Sequence, residues 1–190
     1  MPAGGGTDAR DAPRVPVEHQ LRLDVSATAE DLLAVEGGGP GDAVDLGTFP
    51  WIRNNPGDGG QYISAGSVIM HDPELGRNVG TYRMQVKGPK KVGVYFTNQS
   101  HGYKFMNNAM ERGEERVPVS VAVGIDPISF MMSSTRLADA GQDEFALAGG
   151  FRGKPVQLVK SETNDHLVPA HAEFITASSI QAQMANRAWS

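Results

Sequence analysis

The side chains most able to bind a ligand lie in the run Arg77–Arg83, which leads into a predicted strand. The strand Gly80–Val86 alternates, with apolar side chains on one face and polar side chains, including Arg83, on the other. Such a strand can pack against a core while it presents polar groups to a ligand. The alternatives are a turn residue at Asn78 and a surface charge at Arg83, and spacing alone leaves both open.

The same run lies in the basic part of an acidic chain. The net charge is −5, yet residues 77–116 hold 8 basic and 3 acidic side chains. A basic middle suits a small anion better than nucleic acid, because the acidic remainder repels a polyanion. The alternative is a solvated turn of three lysines, Lys87, Lys90 and Lys91.

Familiar catalytic motifs are missing from the sequence. It contains no phosphate-loop GxxxxGK[ST], nucleophile-elbow GxSxG, HExxH or GxGxxG motif. His166 and His171, near Asp165 and Glu173, allow a metal pocket, although such clusters are more often simply solvated. Cysteine is absent, which excludes disulfides, thiolate metal sites and cysteine nucleophiles and is typical of a reducing compartment.

The composition predicts one ordinary globular domain. The chain has 190 residues, of which 39% are hydrophobic and 21% are charged. No apolar run approaches the roughly 20 residues that a membrane span requires, and residues 1–6 lack the pattern of a secretory signal. We therefore predict a cytoplasmic protein without a membrane span.

Four segments are predicted along the chain. Residues 1–17 form a disordered leader, and residues 18–41 form a strand, a short helix at Glu30–Val35 and a linker. Residues 42–177 form the main domain, which begins in loops and changes to strands at Gln61. Residues 178–190 form a weakly amphipathic helical tail.

Strands and short helices alternate in the main domain. The strands Gly80–Val86 and Val92–Thr97 are predicted to form a hairpin around Gly88–Pro89. The other predicted elements are strands at Tyr62–Met70, Val117–Val123 and Pro155–Ser161 and helices at Gly102–Arg112, Ile128–Ser134 (after the cap Asp126–Pro127) and Asp143–Gly149.

Several distinctive blocks follow one another in order between roughly residues 40 and 175. They are Val44–Leu46 with Phe49–Pro50, Asp58–Gly66, Asp72–Glu74, Arg77–Val86, Val123–Pro127, Asp143–Gly149, Arg152–Val156 and Val168–Glu173. In order and spacing these blocks closely resemble the UbiD family. Independent blocks in collinear order are far more specific than any single motif.

The resemblance implies an α+β fold, in which residues 42–177 form a split β-barrel of the flavin-reductase type with short flanking helices. It implies a bound prenylated flavin mononucleotide (FMN) whose phosphate is held partly through Mn²⁺ or Mg²⁺ and potassium. Asn78 and Glu173 match the family's metal-binding asparagine and glutamate, and His101 matches a histidine beside the metal in some members. Amide and carboxylate oxygens suit such hard cations, and imidazole is tolerated by Mn²⁺.

The resemblance also implies which residues contact the cofactor. Thr81, Tyr82 and Arg83 match the segment that contacts the flavin, and Ser64 is expected to supply a hydroxyl nearby. The neighbouring strand and loop add Tyr95, Phe96, Thr97, Ser100 and His101.

Catalysis by such a protein would centre on Arg83, which matches the arginine of the family's Glu–Arg–Glu network. Its fixed charge would orient the substrate carboxylate. In such enzymes the prenylated flavin is the electron sink, and an acidic residue delivers the proton. The implied reaction is reversible, non-oxidative decarboxylation of an aromatic or α,β-unsaturated acid, with a flavin prenyltransferase as cofactor supplier.

The chain departs from the family pattern after Glu173. The family's acid–base carboxylates lie further downstream, and Thr176–Met184 replaces a glycine-rich continuation. The N-terminal domain and the C-terminal dimerisation domain of full-length members are also missing. Because losing a general acid typically costs about 10²–10⁴ in rate, we expect the isolated chain to be inactive or very weak.

Three origins fit this expectation: a truncated relic, a shortened chain, or a subunit of a homo- or hetero-oligomer that another chain completes. The alternative functions are a non-catalytic flavin-binding or assembly subunit and, by fold analogy alone, a flavin reductase-like oxidoreductase.

Overall fold

The computed structural model describes residues 20–24, 33–36, 45–89, 91–161 and 164–181. The strands are β1 (Gln20–Asp24), β2 (Leu33–Glu36), β3 (Tyr62–Ile63), β4 (Ser67–Asp72), β5 (Gly76–Thr81), β6 (Met84–Gly88), β7 (Lys91–Val94), β8 (Arg116–Val123), β9 (Leu158–Lys160), β10 (Leu167–Pro169) and β11 (Phe174–Gln181). The helices are α1 (His101–Glu111), α2 (Pro127–Ser134) and α3 (Glu144–Arg152), with a 3₁₀ turn at Leu46–Thr48. The predicted leader, residues 1–17, lies outside the described residues.

Nine strands form one mixed sheet in the order β3-β6-β7-β2-β1-β11-β8-β4-β5. The described pairings are antiparallel except for β1 with β11, which run parallel. A separate two-stranded sheet joins β9 and β10. The predicted combination of strands and helices is confirmed.

The sheet must roll up, because β5 and β6 lie seven positions apart in it but only Tyr82 and Arg83 join them. Seven strand spacings would measure about 33 Å in a flat sheet, whereas the link spans at most about 11 Å. No ladder joins the end strands β3 and β5 among the described residues. The predicted split barrel therefore stays a prediction in that detail.

Both faces of the rolled sheet pack against apolar side chains. On one face Val68 and Met70 of β4 join Phe105 and Met106 of α1 in the larger core. On the other face Ile69 joins a second core, which includes Val79, Phe145, Val159, Val168 and Ile175. Each such side chain contributes roughly 1.5–3 kcal/mol relative to exposure, so the alternation in β4 fixes its register.

The three helices predicted between residues 102 and 149 are confirmed as α1, α2 and α3, and their caps explain where they begin. The side chains of Ser100, Asp126 and Asp143 accept backbone N–H bonds in the first turns of α1, α2 and α3, respectively. Gly153 ends α3 with a φ of 68°, a left-handed conformation that glycine adopts without strain. No helix among the described residues has the length and apolar character that a membrane span needs.

The predicted continuous strand Gly80–Val86 is wrong, because Tyr82 and Arg83 leave the ladder between β5 and β6. The Tyr82 ring packs edge-on against Phe96, with the ring centroids 4.6 Å apart, and its hydroxyl accepts the N–H of Gly102. These contacts turn the chain away from the sheet at the point where it crosses from one end of the sheet to the other. The predicted strand Tyr62–Met70 is interrupted in the same way, at residues 64–66.

Two helix predictions at the ends of the chain are wrong. Part of the predicted helix Glu30–Val35 is instead strand β2. This strand pairs with β7, and its last residue, Glu36, also pairs with Asp24 of β1. Residues 178–181 of the predicted tail helix continue β11, which pairs with β8 along eight residues. Residues 182–190 lie outside the described residues. Both β1 and β2 belong to the main sheet.

A buried polar network around His166 ties the start of β10 to β8. The His166 Nδ1 atom lies 3.1 Å from Ser120 Oγ, and its backbone N–H donates to Asn164 Oδ1. Asn164 also donates to the carbonyl of Val119. His171 instead pairs with Gln157, and no group of three metal-binding His, Asp or Glu side chains occurs in the described part of the chain. The alternative metal pocket at these histidines is not formed.

This network predicts an acid-dependent loss of stability. Burial, with a smaller contribution from the nearby His71, lowers the pKa of His166 to about 4. The unfolded chain binds a proton below about pH 6.5 and the folded chain does not, so the free energy of unfolding falls as the pH drops from about 6.5 to 4. The loss should reach about 3 kcal/mol, at about 1.4 kcal/mol per pH unit.

Urea unfolding of the wild-type and His166→Gln chains between pH 7 and 4 measures this effect. The pKa of Glu144, which burial raises to about 7, gives the opposite slope between about pH 4.5 and 7 in both chains. The difference between the two profiles therefore isolates His166. Parallel profiles would contradict the assignment.

Candidate functional site

The link Tyr82–Arg83 places one side chain inward and the other outward. Tyr82 is half-buried, and its hydroxyl accepts the N–H of Gly102 at 3.0 Å. A Cβ atom on Gly80 or Gly102 would lie within 2.8 Å of the Tyr82 side chain. Both positions therefore require glycine so that this tyrosine can reach the N-terminus of α1.

Asn78 faces the same buried region from β5. Its side chain is buried, and its Nδ2 atom has no hydrogen-bond partner among the described residues. It lies close enough to the Tyr82 hydroxyl to affect the pKa of that tyrosine. Burial raises the pKa of Tyr82, and contacts from Gly102, Ser100 and Asn78 offset part of the rise. An unpaired buried polar group costs about 1–3 kcal/mol, so this amide fits a position that a ligand completes.

Glu144, the first residue of α3, brings a carboxylate to this region. It is 4% exposed, and its Oε2 atom accepts the backbone N–H of Val79 at 2.8 Å. Burial raises its pKa to about 7, partly offset by the Val79 N–H, and its charge also acts on Tyr82. The preceding residue, Asp143, caps the helix and pairs with Arg77, with Nε and Oδ1 3.1 Å apart.

Glu144 was not among the site residues predicted from sequence. An acidic residue in the first turn of a helix has an ordinary explanation in the helix dipole, and that explanation hid its second contact with β5. Asn78 and Glu144 both act on the Tyr82 hydroxyl. That hydroxyl accepts the N–H of Gly102, the residue after His101, which is the half-buried first residue of α1.

Glu173 and Asn78 lie in different rows of the sheet. Glu173 is exposed just before β11, and a Cβ atom on Gly124 would lie 2.6 Å from its carboxyl group. Asn78 aligns through Met70 of β4 with Val119 of β8. Val119 lies five residues from Gly124, roughly 16 Å along the strand. The strand registers thus separate Glu173 from Asn78 along the sheet, and the predicted metal site that joins them stays a prediction.

Glu173 lies instead at the end of the sheet that carries Arg83. The last pair of β5 joins Thr81 to Ser67 of β4, and Ser67 pairs with Ala122 of β8. The Tyr82 N–H donates to the Gly66 carbonyl just past this ladder. Glu173 lies two residues before Ile175, which pairs with Ala122, so it lies at the same end of the sheet.

Arg83 has two of the predicted cofactor residues beside it. One step beyond the row Ile63–Met84–Val94, the registers of β3, β6 and β7 align Ser64, Arg83 and Tyr95. Ser64 and Tyr95 are exposed, and 53% of the Arg83 side chain is exposed. This edge of the sheet therefore presents a cation, a hydroxyl and an aromatic ring to solvent.

Thr81 belongs to a row of hydroxyl groups that the sequence analysis missed. Its Oγ1 atom lies 2.9 Å from Ser133 Oγ and 3.0 Å from Ser134 Oγ, at the end of α2. Ser133 also contacts Ser67 at 3.0 Å. In the sequence these serines have the ordinary appearance of a helix end, and only the fold brings them to β5.

The other predicted cofactor residues divide between core and surface. Phe96 is buried against Tyr82, so its ring does not face solvent. Thr97 is exposed, and its carbonyl accepts hydrogen bonds from the backbone and side chain of Ser100, the N-cap of α1. Ser100 and Thr97 thus shape the loop before His101.

Comparison with known proteins gives the family. The model of the UbiD family, described as the 3-octaprenyl-4-hydroxybenzoate carboxy-lyase Rift-related domain, matches residues 27–187. The chain is 38% identical over 139 residues to a phenolic acid decarboxylase of Bacillus subtilis, covering 70% of this chain and 29% of that protein.

Two solved structures are similar to the fold. An evolved dimeric form of the UbiD-class enzyme HmfF from Pelotomaculum thermopropionicum, in complex with prenylated FMN (prFMN), has a TM-score of 0.65 and 34% identity, over 72% of this chain and 32% of that chain. The closed form of Sedimentibacter hydroxybenzoicus vanillic acid decarboxylase has a TM-score of 0.66 and 32% identity, over 76% and 30%.

The chain thus spans less than a third of the length of each of these three proteins. The family model covers most of the chain, and the likeness extends to both sequence and structure. The resemblance found in the sequence is confirmed, and the chain belongs to the UbiD family.

Proposed function

We propose that this chain is the prenylated-FMN-binding part of a UbiD-like carboxy-lyase. The observation that carries the proposal is the link Tyr82–Arg83, which separates an exposed arginine from a buried polar region around Asn78 and Glu144. A similar UbiD-class structure holds prenylated FMN, and a similar sequence is a phenolic acid decarboxylase.

The residues around Asn78 fit a divalent metal that anchors the cofactor phosphate. The amide oxygen and nitrogen of an asparagine are assigned from hydrogen bonds, and exchanging them would turn Oδ1 of Asn78 toward the buried region. That oxygen, the Glu144 carboxylate and the His101 imidazole form a donor set that suits Mn²⁺, with Mg²⁺ as the alternative. A metal between protein and phosphate lets an acidic protein hold an anionic cofactor. In the same proposal a potassium ion also helps to hold the cofactor phosphate.

In this proposal Arg83 binds the substrate carboxylate, and the hydroxyl row around Thr81 lines the cofactor side. The planar guanidinium can hold a carboxylate through two parallel hydrogen bonds and so orient the bond that breaks. Prenylated FMN, when bound, supplies the electron sink for the departing carbon dioxide. Glu173, at the Arg83 end of the sheet, serves as a proton-transfer group there rather than as a metal ligand.

The rest of the enzyme lies outside this chain in the proposal. The chain covers less than a third of the length of its relatives, and one similar structure is a dimeric form. A second copy or a companion chain would supply the remaining parts, with an aromatic or α,β-unsaturated acid as substrate. In the same proposal a flavin prenyltransferase supplies the cofactor. The location is the cytoplasm, which fits the absence of cysteine.

The metal assignment predicts which glutamate matters for metal affinity. Glu144→Gln should weaken Mn²⁺ binding in the presence of FMN by at least about 10-fold, because an amide cannot replace the ligand charge. The substitution keeps an oxygen that accepts the Val79 N–H, so the fold should persist. Asn78→Ala should weaken binding similarly. Electron paramagnetic resonance of free Mn²⁺ measures the affinity.

Glu173→Gln is the matched control for this measurement, and its Mn²⁺ affinity should equal that of the wild type. A loss of affinity in Glu173→Gln with none in Glu144→Gln would support the sequence-based prediction that Glu173 binds the metal with Asn78 and would reject Glu144 as the ligand.

Removing the metal should affect FMN but not riboflavin, which lacks the phosphate. With Mn²⁺ present we expect FMN to bind at least about 10-fold more tightly than riboflavin, because charge-assisted contacts to phosphate are strong. With EDTA the two affinities should converge. Quenching of flavin fluorescence measures both. Equal affinities in the presence of Mn²⁺ would show that the phosphate is not held through a metal.

A further inference from the structure

Arg83 must be held in one orientation if it is to bind a carboxylate through two hydrogen bonds. It lies in a two-residue link outside the strand ladders, and half of its side chain is exposed. A free arginine side chain samples many rotamers, at an entropic cost of up to about 2 kcal/mol when it is ordered. Contacts that restrict it before a ligand arrives reduce that cost.

Tyr62 of β3 contacts the flat face of the Arg83 guanidinium. The Cζ atom of Arg83 lies over the Tyr62 ring, 4.1 Å from its centroid. This stacking uses the face of the guanidinium and leaves the N–H groups, which point outward in its plane, available for a carboxylate. Tyr62 is itself fixed, because it pairs with Gln85 of β6 and its N–H donates to the Ile52 carbonyl.

Asp58 contacts one edge of the same guanidinium. Its Oδ1 atom lies 3.5 Å from Nη2 of Arg83, while its Oδ2 atom accepts the backbone N–H of Asn55 at 2.9 Å. The Asp58 side chain is only 16% exposed, so the loop fixes its position. An exposed ion pair of this kind adds little stability, about 0–1 kcal/mol. Its effect is to select a rotation of the guanidinium.

We propose that Tyr62 and Asp58 are positioning residues for Arg83: Tyr62 sets the plane of the guanidinium, and Asp58 sets its rotation within that plane. The contacts leave the second edge of the guanidinium directed away from Asp58, as a two-point carboxylate site requires. The role of the positioned arginine rests on the proposed function, whereas the positioning itself is a property of this chain alone.

The test follows the Arg83 side chain by NMR of the full chain, labelled with ¹⁵N and free of ligand. The Nε–H signal of Arg83, identified by its loss in Arg83→Lys, should be rigid in the heteronuclear NOE and shifted upfield by the Tyr62 ring. Tyr62→Leu should abolish both features, and Tyr62→Phe, which keeps the ring, should preserve them. Asp58→Ala should lower the rigidity without removing the ring shift.

Asp165→Asn is the control, because it breaks the exposed ion pair with Lys160 and should leave the Arg83 signal unchanged. Circular dichroism checks that each variant is folded. A mobile Arg83 in the wild-type chain, or an unchanged signal in Tyr62→Leu, would overturn the proposal. An unchanged rigidity in Asp58→Ala would remove Asp58 from it.

A titration with benzoate, a simple aromatic carboxylate, separates this proposal from the proposed function. Benzoate should shift the Arg83 signal, and Tyr62→Leu should weaken its binding about 2- to 5-fold, the value of an exposed cation–π contact. Benzoate binding that Arg83→Gln leaves unchanged would count against the proposed function, while the ligand-free signals still decide the positioning. Tighter benzoate binding in Asp58→Ala, with an unchanged Arg83 signal, would show that Asp58 competes with the ligand instead.

Discussion

Tyr82 and Arg83 join two strands that lie seven positions apart in the sheet, and the chain cannot span that distance unless the sheet rolls up. The link therefore couples the curvature of the whole sheet to the position of two side chains. Tyr82 anchors the link inward through Phe96 and the N-terminus of α1, and Arg83 is consequently directed outward. A change that released Tyr82 would disturb the core and the exposed cation together, which is why two glycines, at 80 and 102, make room for it.

The inward side of the link concentrates groups that are costly to bury. Two such groups act on the Tyr82 hydroxyl: an asparagine amide whose nitrogen has no hydrogen-bond partner in the described part of the chain, and a carboxylate whose pKa burial raises to about 7. A core selected only for stability would replace such groups with apolar side chains, since an unpaired buried polar group costs about 1–3 kcal/mol. A divalent cation would give the carboxylate its counter-charge and the amide its partner. The same charge would attract a phosphate to a protein that is acidic overall.

Local signals made much of the fold predictable. The cap at Asp126 and the hairpin of β6 and β7 depend on neighbouring residues, and both were predicted from sequence. Non-local effects explain the failures: Leu33–Glu36 is a strand because β7 lies beside it, and residues 178–181 extend β11 along β8. In the candidate site, the Arg77–Arg83 run was identified from the family resemblance. The different surroundings of Glu144 and Glu173 depend on strand pairing between distant residues, which one sequence does not contain.

The two glutamates also show how environment divides roles between chemically identical groups. Glu144 is buried and bonded to the backbone of β5, so the fold restricts it to a single position, as a metal ligand requires. Glu173 is exposed at the end of a strand, close to Gly124, where a side chain larger than hydrogen would displace it. A group that transfers a proton must reach substrate and exchange with solvent, and a group that holds a metal must do neither. The fold therefore places Glu144 next to β5 and Glu173 at the exposed start of β11, which gives each carboxylate the surroundings that its proposed role needs.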